Sequence, residues 1–537
     1  MKGRFKNYIQ SIVDLRSYLN QTITFEEAKT IVADRMGRRE ENFLSFVKRY
    51  VCDNLSSPYL PLLQKARCSY DDMVYEVRRN GIEALLRLLL DSGVRVSFDE
   101  FKGHKPLHRG GDEYRLKNEA FYNPLSSPGV KVKTGGTSGR PIHSNLYLDF
   151  LADRACYDQF LFNMLDIYDI PLILWYPKLP ASTGISNSLR YAKIGHPPDR
   201  WFSMQTDSGI QPGLKNSLTN MAIVWLSRLT KTPLPRPQVL NLSRPGVIVD
   251  WIIETRKRHT RCVVQCYVSQ AVRICQAAMQ RGVDLEGTIF IVGSEPLTEA
   301  KHAEIEKMHA SVFPRYQATE IGSVATGCGQ PSEVGELHLH SDTIAMIQTD
   351  TPRVEGVPKP FYFTSFLNTA PKIMINVELG DSGIVQNRRC GCLLDEIGFN
   401  THLFQVHSFS RATSEGMSQC YNELKRIIEN LLPFKIGGSS TDYQWVEAED
   451  DNSFTRLLLY IDPSVGPVAE DDTVKKILKE LRQVDLSHKL QAEVWRQAKT
   501  IKIVRQSPLT TSSGKRPSFI NKRARPLDSR KVHEKSS

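Results

Sequence analysis

The sequence predicts an α/β protein: a large N-terminal domain with helix-covered β-sheets, followed by a small α+β C-terminal domain. Three observations carry this expectation. The 537 residues exceed one ordinary domain and suit a large unit plus a smaller one. From about residue 130, short apolar runs alternate with amphipathic stretches, the pattern of buried strands crossed by helices. Near residue 410 the texture turns polar, and a second, shorter series of strand and helix patterns begins.

Residues 1–100 read as helical. The stretch 82–90 carries dense Leu on a 3.6-residue period and stops before Gly93, a residue that ends helices readily. The runs 172–176, 239–242, 262–268 and 288–292 read as buried strands, and 247–258 and 299–309 as helices. The segment SFSRATSEGMS reads as polar and flexible. Beyond it come a helix at 422–431, a strand at 456–461, a helix at 473–484 and a final strand at 500–504. These place a helical part of the large domain at 1–100, its core at 101–409, the small domain at 410–520 and a basic tail at 521–537.

Composition excludes several classes. Hydrophobic residues at 40% and charged residues at 24% are those of a soluble globular protein. No apolar run approaches the ~18 residues of a membrane span. The start, MKGRFKNYIQSIVDLRSYL, lacks the apolar core and cleavage site of a secretory signal, so a cytoplasmic protein is expected. The net charge of +11 invites nucleic acid, but from Lys515 to Ser537 eight Lys or Arg face only two Asp or Glu. More than half of the surplus is therefore a short solvated tail, and no nucleic-acid-binding motif accompanies it. Ten cysteines in such a length are no disulfide framework, and Cys52, Cys156 and Cys275 read as buried thiols.

Five short motifs carry chemistry. Lys133-Thr-Gly-Gly-Thr-Ser-Gly-Arg-Pro141 joins three glycines to three hydroxyl residues, a loop whose N–H and O–H groups suit a triphosphate. It is not a hydrolase elbow around Ser138, because Arg140 stands where the closing glycine would be. Nor is Gly514-Lys515 a Walker loop, since Arg516 follows and the upstream glycine is missing. The other motifs are Val292-Gly-Ser-Glu-Pro-Leu-Thr298, Tyr316-Gln-Ala-Thr-Glu320, Leu379-Gly-Asp-Ser-Gly383 and Thr510-Thr-Ser-Ser-Gly-Lys-Arg516.

In their order and spacing, over about residues 95 to 520, these motifs resemble the adenylate-forming superfamily of acyl-CoA synthetases, nonribosomal-peptide adenylation domains and luciferases. The phenylacetate–CoA ligase-like branch looks most similar. The resemblance implies the following roles. Thr134, Gly136, Thr137, Ser138 and Gly139 would hold the β- and γ-phosphates of ATP. Gly293, Ser294, Glu295 and Pro296 would line one side of the adenine, and Tyr316 would stack on the other. Thr319 would donate to the α-phosphate, and Glu320 would hold Mg²⁺ through a hard carboxylate oxygen. Asp381 would accept both ribose hydroxyls. Lys515, on a mobile C-terminal domain, would offset the charge built when a carboxylate attacks the α-phosphorus. Arg411 stands where the interdomain hinge would begin, within reach of the ribose. Three positions depart from the pattern: Ile142 in place of a lysine, Gln317 in place of a glycine, and Asn376 in place of an arginine.

Cys328, His338, Cys390 and Cys392 form a second constellation. Three thiols and an imidazole suit tetrahedral Zn²⁺, in a closed structural site without an open position. The same residues would also serve as buried thiols and a core histidine, and His340 is an alternative ligand.

The expectation is therefore an enzyme that adenylates a carboxylic acid with ATP and Mg²⁺ and passes the acyl group to CoA. Acyl transfer to a carrier protein or a nitrogen nucleophile is the alternative, as is a non-catalytic nucleotide-binding or interaction protein. Trp175, Tyr176, Trp201, Phe202 and Tyr267 favour an aromatic acid. A homodimer is left open.

Overall fold

The computed structural model describes residues 2–116, 118–126, 130–134, 142–179, 181–204, 214–349, 359–483, 486–510 and 516–522. Two small hairpins come first, β1 (Leu107–Arg109) with β2 (Asp112–Tyr114) and β3 (Val130–Thr134) with β4 (Ile142–Leu146). A 12-stranded sheet follows. Its strands are β5 (Leu172–Trp175), β6 (Arg200–Met204), β7 (Pro237–Leu240), β8 (Cys262–Tyr267), β9 (Thr288–Gly293) and β10 (Ser311–Ala318). They continue with β11 (Gly322–Gly327), β12 (Leu337–Leu339), β13 (Ile344–Ile347), β14 (Pro360–Ser365), β15 (Met374–Asn387) and β16 (Thr401–Ser408).

Across the sheet the order is β13-β14-β15-β16-β12-β11-β10-β9-β8-β5-β6-β7. The half from β10 to β7 is entirely parallel. Parallel neighbours need crossovers, and helices such as Val268–Gln280 and Glu299–Glu306 supply them. Both faces are then covered, which is why β8 reads as the unbroken run CVVQCY with every residue buried. The other half, from β11 to β13, is antiparallel. In the parallel half, β6 and β7 lie on one side of β5 and β8, β9 and β10 on the other. Strand order therefore reverses between β5 and β8, and the crevice outside the carboxyl ends of such strands is where ligands bind.

The N-terminal helices from Arg39 onward cover the antiparallel half, whereas Lys2–Asn20 packs into the core of the parallel half. Helix Ile82–Asp91 buries Ile82, Leu85, Leu86, Leu89 and Leu90 in one cluster with Ile344, Phe361, Ile375 and Val377. Each such side chain contributes roughly 1.5–3 kcal/mol. The helix ends at Asp91, two residues before Gly93, whose φ of 88° is costly for other residues.

The small domain is a sheet in the order β21-β20-β19-β22, from β19 (Tyr443–Glu449), β20 (Thr455–Ile461), β21 (Ile501–Arg505) and β22 (Phe519–Asn521). Helices Glu470–Leu481 and Leu486–Ala498 accompany it. Three expectations are corrected. The run read as polar and flexible is ordered: β16 extends to Ser408, and β17 (Arg411–Ser414) pairs with β18 (Met417–Cys420) in a hairpin. Thr413, Ser414 and Glu415 are buried because the hairpin is wedged between other elements, the Ser414 carbonyl accepting from the Trp495 indole at 3.2 Å and Glu415 pairing with Arg273 at 2.5 Å. The strand near 500 is not the last, since β22 follows and pairs in parallel with β19. Cys52 is half-buried, whereas Cys156 and Cys275 are buried as expected.

Candidate functional site

The carboxyl ends of β9 and β10 bring two of the motifs together. Gly293, at the end of β9, pairs with Arg315 of β10, and Ser294 follows at a φ of 65°. The Glu295 side chain turns inward rather than towards an open face. It accepts from Ser269 N at 3.0 Å, from the Ser269 hydroxyl and from Gly416 N, with Lys301 Nζ at 3.7 Å. This carboxylate ties helix Val268–Gln280 to the β17–β18 turn.

One residue further along β10, Tyr316 reaches the antiparallel half. Its hydroxyl donates to Asp381 Oδ2 at 2.7 Å, and its ring meets Phe363 edge-on at 6.3 Å. Arg411, at the start of β17, donates through Nη2 to Asp381 Oδ1 at 3.0 Å and Oδ2 at 3.2 Å. Two residues far apart in sequence, Tyr316 and Arg411, thus converge on one buried carboxylate. Although burial alone would lower the Arg411 pKa, Asp381 and then Glu320 outweigh it and raise it.

Glu320 and the exposed Thr319 lie between β10 and β11. The Glu320 carboxylate is paired with Lys102, both side chains being nearly covered at 13% and 5% exposure. Burial would raise the Glu320 pKa, but Lys102 and then Lys372 bring it down to about 2. Lys372, held by Asn118 and set over the rings of Phe101 at 4.5 Å and Tyr122 at 5.1 Å, is pushed down to about 7 by its burial and by Lys102. Sequence reasoning missed Lys102 and Lys372, because neither belongs to a motif and only the fold sets them beside Glu320. Asn376 has a structural task. Its amide donates to Leu86 O at 2.8 Å and Val94 O at 3.1 Å, fastening β15 to the N-terminal helices.

Gly136, Thr137, Ser138, Gly139 and Lys515 lie outside the described residues, as does the side chain of Thr134. The flanks of both segments are described. Thr134 pairs with Ile142 across β3 and β4, which closes the base of the glycine-rich loop. The buried Gln444 of β19 accepts from Leu509 N at 2.8 Å and donates to Leu509 O at 3.0 Å and Pro517 O at 2.8 Å. One side chain thereby anchors the chain on both sides of residues 511–515.

The four residues singled out for a metal do converge. One ligand atom from each of Cys328, His338, Cys390 and Cys392 lies within 4.8 Å of the others. His338 Nδ1 faces Phe399 O at 2.5 Å, leaving Nε2 towards the sulfurs of Cys392 at 3.3 Å and Cys390 at 3.5 Å. Backbone amides point at the sulfurs as well, Gln330 N to Cys328 at 3.3 Å and Cys392 N to Cys390 at 3.5 Å. Asp395 holds the Cys390–Cys392 turn by accepting from Cys390 N at 2.9 Å and Gly391 N at 2.8 Å. A hydrogen bond from Cys328 and then one from His338 favour the Cys392 thiolate. Such a donor set, with a backbone carbonyl orienting the imidazole, fits a tetrahedral thiophilic ion. His340 is not part of it: its ring stacks on Tyr157 at 3.8 Å and its Nε2 meets Thr326 Oγ1 at 2.9 Å.

The five aromatics expected to favour an aromatic acid are core. Trp175 and Trp201 have no exposure, and Phe202, Tyr176 and Tyr267 have 2–4%. The Trp201 indole donates to Tyr176 O at 2.8 Å and the Tyr176 hydroxyl to Cys266 O at 3.0 Å, so their polar atoms are used within the fold. Among the described residues, no helix is long and apolar enough to cross a membrane.

No family model and no curated protein sequence matches the chain. Solved structures with distant likeness include the McyG A-PCP structure complexed with phenylalanyl-adenylate, at 12% identity and a TM-score of 0.35 over 74% of this chain. The match covers 63% of that structure, less than two thirds of its length. An amide bond synthetase Mcba mutant from Marinactinospora thermotolerans is 14% identical, with a TM-score of 0.39 over 87% of this chain and 84% of its own. An acyl-CoA synthetase (AMP-forming)/AMP-acid ligase II-like protein from Dyadobacter fermentans is 14% identical, with a TM-score of 0.27 over 72% and 86%. At such scores a likeness does not transfer an activity.

Proposed function

We propose that this chain is an adenylate-forming enzyme that converts a carboxylic acid and ATP to an acyl-adenylate and pyrophosphate, then transfers the acyl group. The observation that carries the reading is the convergence of Tyr316, Arg411 and Asp381 beside the turn that bears Glu320. Three motif residues and Arg411, separated by up to 95 positions, meet at the carboxyl edge of the sheet, where such folds bind ligands.

In this reading Asp381 is positioned by Tyr316 and Arg411 and receives the ribose hydroxyls. A carboxylate oxygen of the acid attacks the α-phosphorus, the bond to the bridging oxygen breaks, and pyrophosphate leaves with that electron pair. Lys515 offsets the charge that develops on the phosphoryl oxygens. Glu320, held ionised by Lys102, would hold Mg²⁺, which neutralises phosphate charge when bound. The hinge is placed at Ser410–Arg411, between β16 and β17. CoA is the acceptor we put first, with a carrier-protein thiol or a nitrogen nucleophile as alternatives. We further propose that Cys328, His338, Cys390 and Cys392 hold a structural Zn²⁺.

Equilibrium binding of ATP to wild type, Asp381→Ala and Asp381→Asn tests the nucleotide site. A charge-assisted contact of this kind implies a loss of roughly 10- to 100-fold in affinity for Asp381→Ala. Asp381→Asn, which keeps the side chain's shape, controls for folding and is expected to weaken binding as well. Affinity unchanged in both folded variants would contradict the reading.

A further inference from the structure

Beneath the turn that carries Thr319 and Glu320, two guanidinium groups, those of Arg190 and Arg315, share one carboxylate. Asp158 is completely buried and receives Arg190 through Nε at 2.8 Å and Nη2 at 3.2 Å, and Arg315 through Nη2 at 2.6 Å. That leaves Arg154, one helical turn before Asp158 on helix Leu148–Leu165, without an acidic partner. Among the described residues it makes no ion pair. Its polar contacts are Ser323 Oγ at 3.4 Å and the Gln317 side chain at 3.5 Å.

The Gln317 contact is weaker than its distance suggests. Turned to satisfy its surroundings, the Gln317 amide oxygen accepts from Arg190 Nη1 at 3.2 Å and Arg315 Nη2 at 3.1 Å. In that orientation the Gln317 oxygen serves Arg190 and Arg315 rather than Arg154. An arginine does not relieve such a position by losing its proton, and a partly covered guanidinium short of acceptors is a favourable seat for an anion.

Arg154 also stands in a place built to admit it. Tyr316 and Gln317 point to opposite faces of β10, as successive strand residues do, so that Tyr316 is directed at Asp381 while Gln317 lies on the face of Arg154. Gly322 has a φ of 88°, and a Cβ there would sit 3.0 Å from Arg154 Cδ and 2.5 Å from Phe150 Cζ. Glycine at this position gives room to the stem of Arg154, whose guanidinium lies 5.5 Å from the centre of the Phe150 ring. The residue is partly open, unlike Arg190 and Arg315.

We infer that Arg154 is a carboxylate-binding residue for the acid substrate. The assignment rests on the adenylation reading, in which the acid must approach the same turn as the nucleotide. It locates acid recognition in a guanidinium rather than in the buried aromatics. The carboxylate is either the reacting one or a second acidic group of a dicarboxylic acid, and the two are separable by experiment.

The test is calorimetric binding of phenylacetate, benzoate, hexanoate, phthalate and adipate to the full chain loaded with a non-hydrolysable ATP analogue. Wild type is compared with Arg154→Gln and Arg154→Lys, and thermal melting verifies that the variants fold. The expected result is an acid that binds wild type on the order of 10- to 100-fold more tightly than Arg154→Gln. Arg154→Lys should be intermediate, since it keeps the charge but loses the fork. Affinity for the ATP analogue should be unchanged. A loss confined to dicarboxylates identifies the second acidic group; a loss for monocarboxylates identifies the reacting one. Equal acid affinity in wild type and Arg154→Gln, or no acid binding to nucleotide-loaded wild type, overturns the assignment. Failure of wild type to bind the ATP analogue overturns the adenylation reading itself and is seen separately.

Discussion

Both oxygens of Asp381 are occupied by donors from this chain, Tyr316 on one and Arg411 on both. A ligand that binds there must share that carboxylate, which places Tyr316 and Arg411 as the residues that aim it. Glu320 is likewise engaged, with Lys102. In the proposed reading, an ion that took Glu320 would release the Lys102 cation for the phosphates. At the thiol cluster the single residues argue for a resident metal: His338 has one nitrogen spent on Phe399 O, and its other nitrogen points at two sulfurs. Protein purified without chelator is expected to contain one zinc per chain by elemental analysis, and Cys392→Ser to lose it and melt at lower temperature. A metal-free wild type with the same melting temperature as Cys392→Ser would count against a zinc site.

At the scale of elements, the hairpin of β17 and β18 shows why a polar sequence can be rigid. Gly416 at its turn has a φ of 68°, and a Cβ there would lie 2.3 Å from the Tyr267 ring. The turn packs directly on the large domain, and Glu295 accepts from its backbone. None of these partners is near in sequence, so the run read as flexible. Conversely, the strands at β5, β8 and β9 were legible to within a residue or two, because burial on both faces demands unbroken apolar runs. Of the proposed site, Tyr316, Glu320, Asp381 and Arg411 could be named through the resemblance of the motifs to a known family. Arg154, Lys102 and Lys372 could not, since an isolated cation carries no local signal until the fold gives it a neighbour. Gln444 is another such residue, and it anchors both sides of the segment that contains Lys515. Gln444→Leu is predicted to lower kcat for adenylation by roughly tenfold or more while KM for ATP stays near the wild-type value, as steady-state kinetics would show. An unchanged kcat in the folded variant would remove Gln444 from any positioning role.

For the molecule as a whole, the parallel half of the sheet reverses order between β5 and β8, and the antiparallel half adds Asp381 on β15 beside the ends of β9 and β10. The small domain brings β19 and the flanks of residue 515 through its own four-stranded sheet. One half of the fold supplies the turn with Glu320 and the other the Asp381 carboxylate, and the small domain carries the flanks of the segment that contains Lys515, the lysine of the proposed reaction. Adenylation requires all three at once, and pyrophosphate exchange reports on all three. The most direct measurement is carboxylate-dependent exchange of labelled pyrophosphate into ATP, across aromatic, fatty and dicarboxylic acids, for wild type and Lys515→Ala. Exchange that depends on an acid and falls by about 100-fold or more in Lys515→Ala is the predicted result. Exchange that proceeds equally in the variant, or its absence in a wild type that binds both ATP and an acid, would contradict the account.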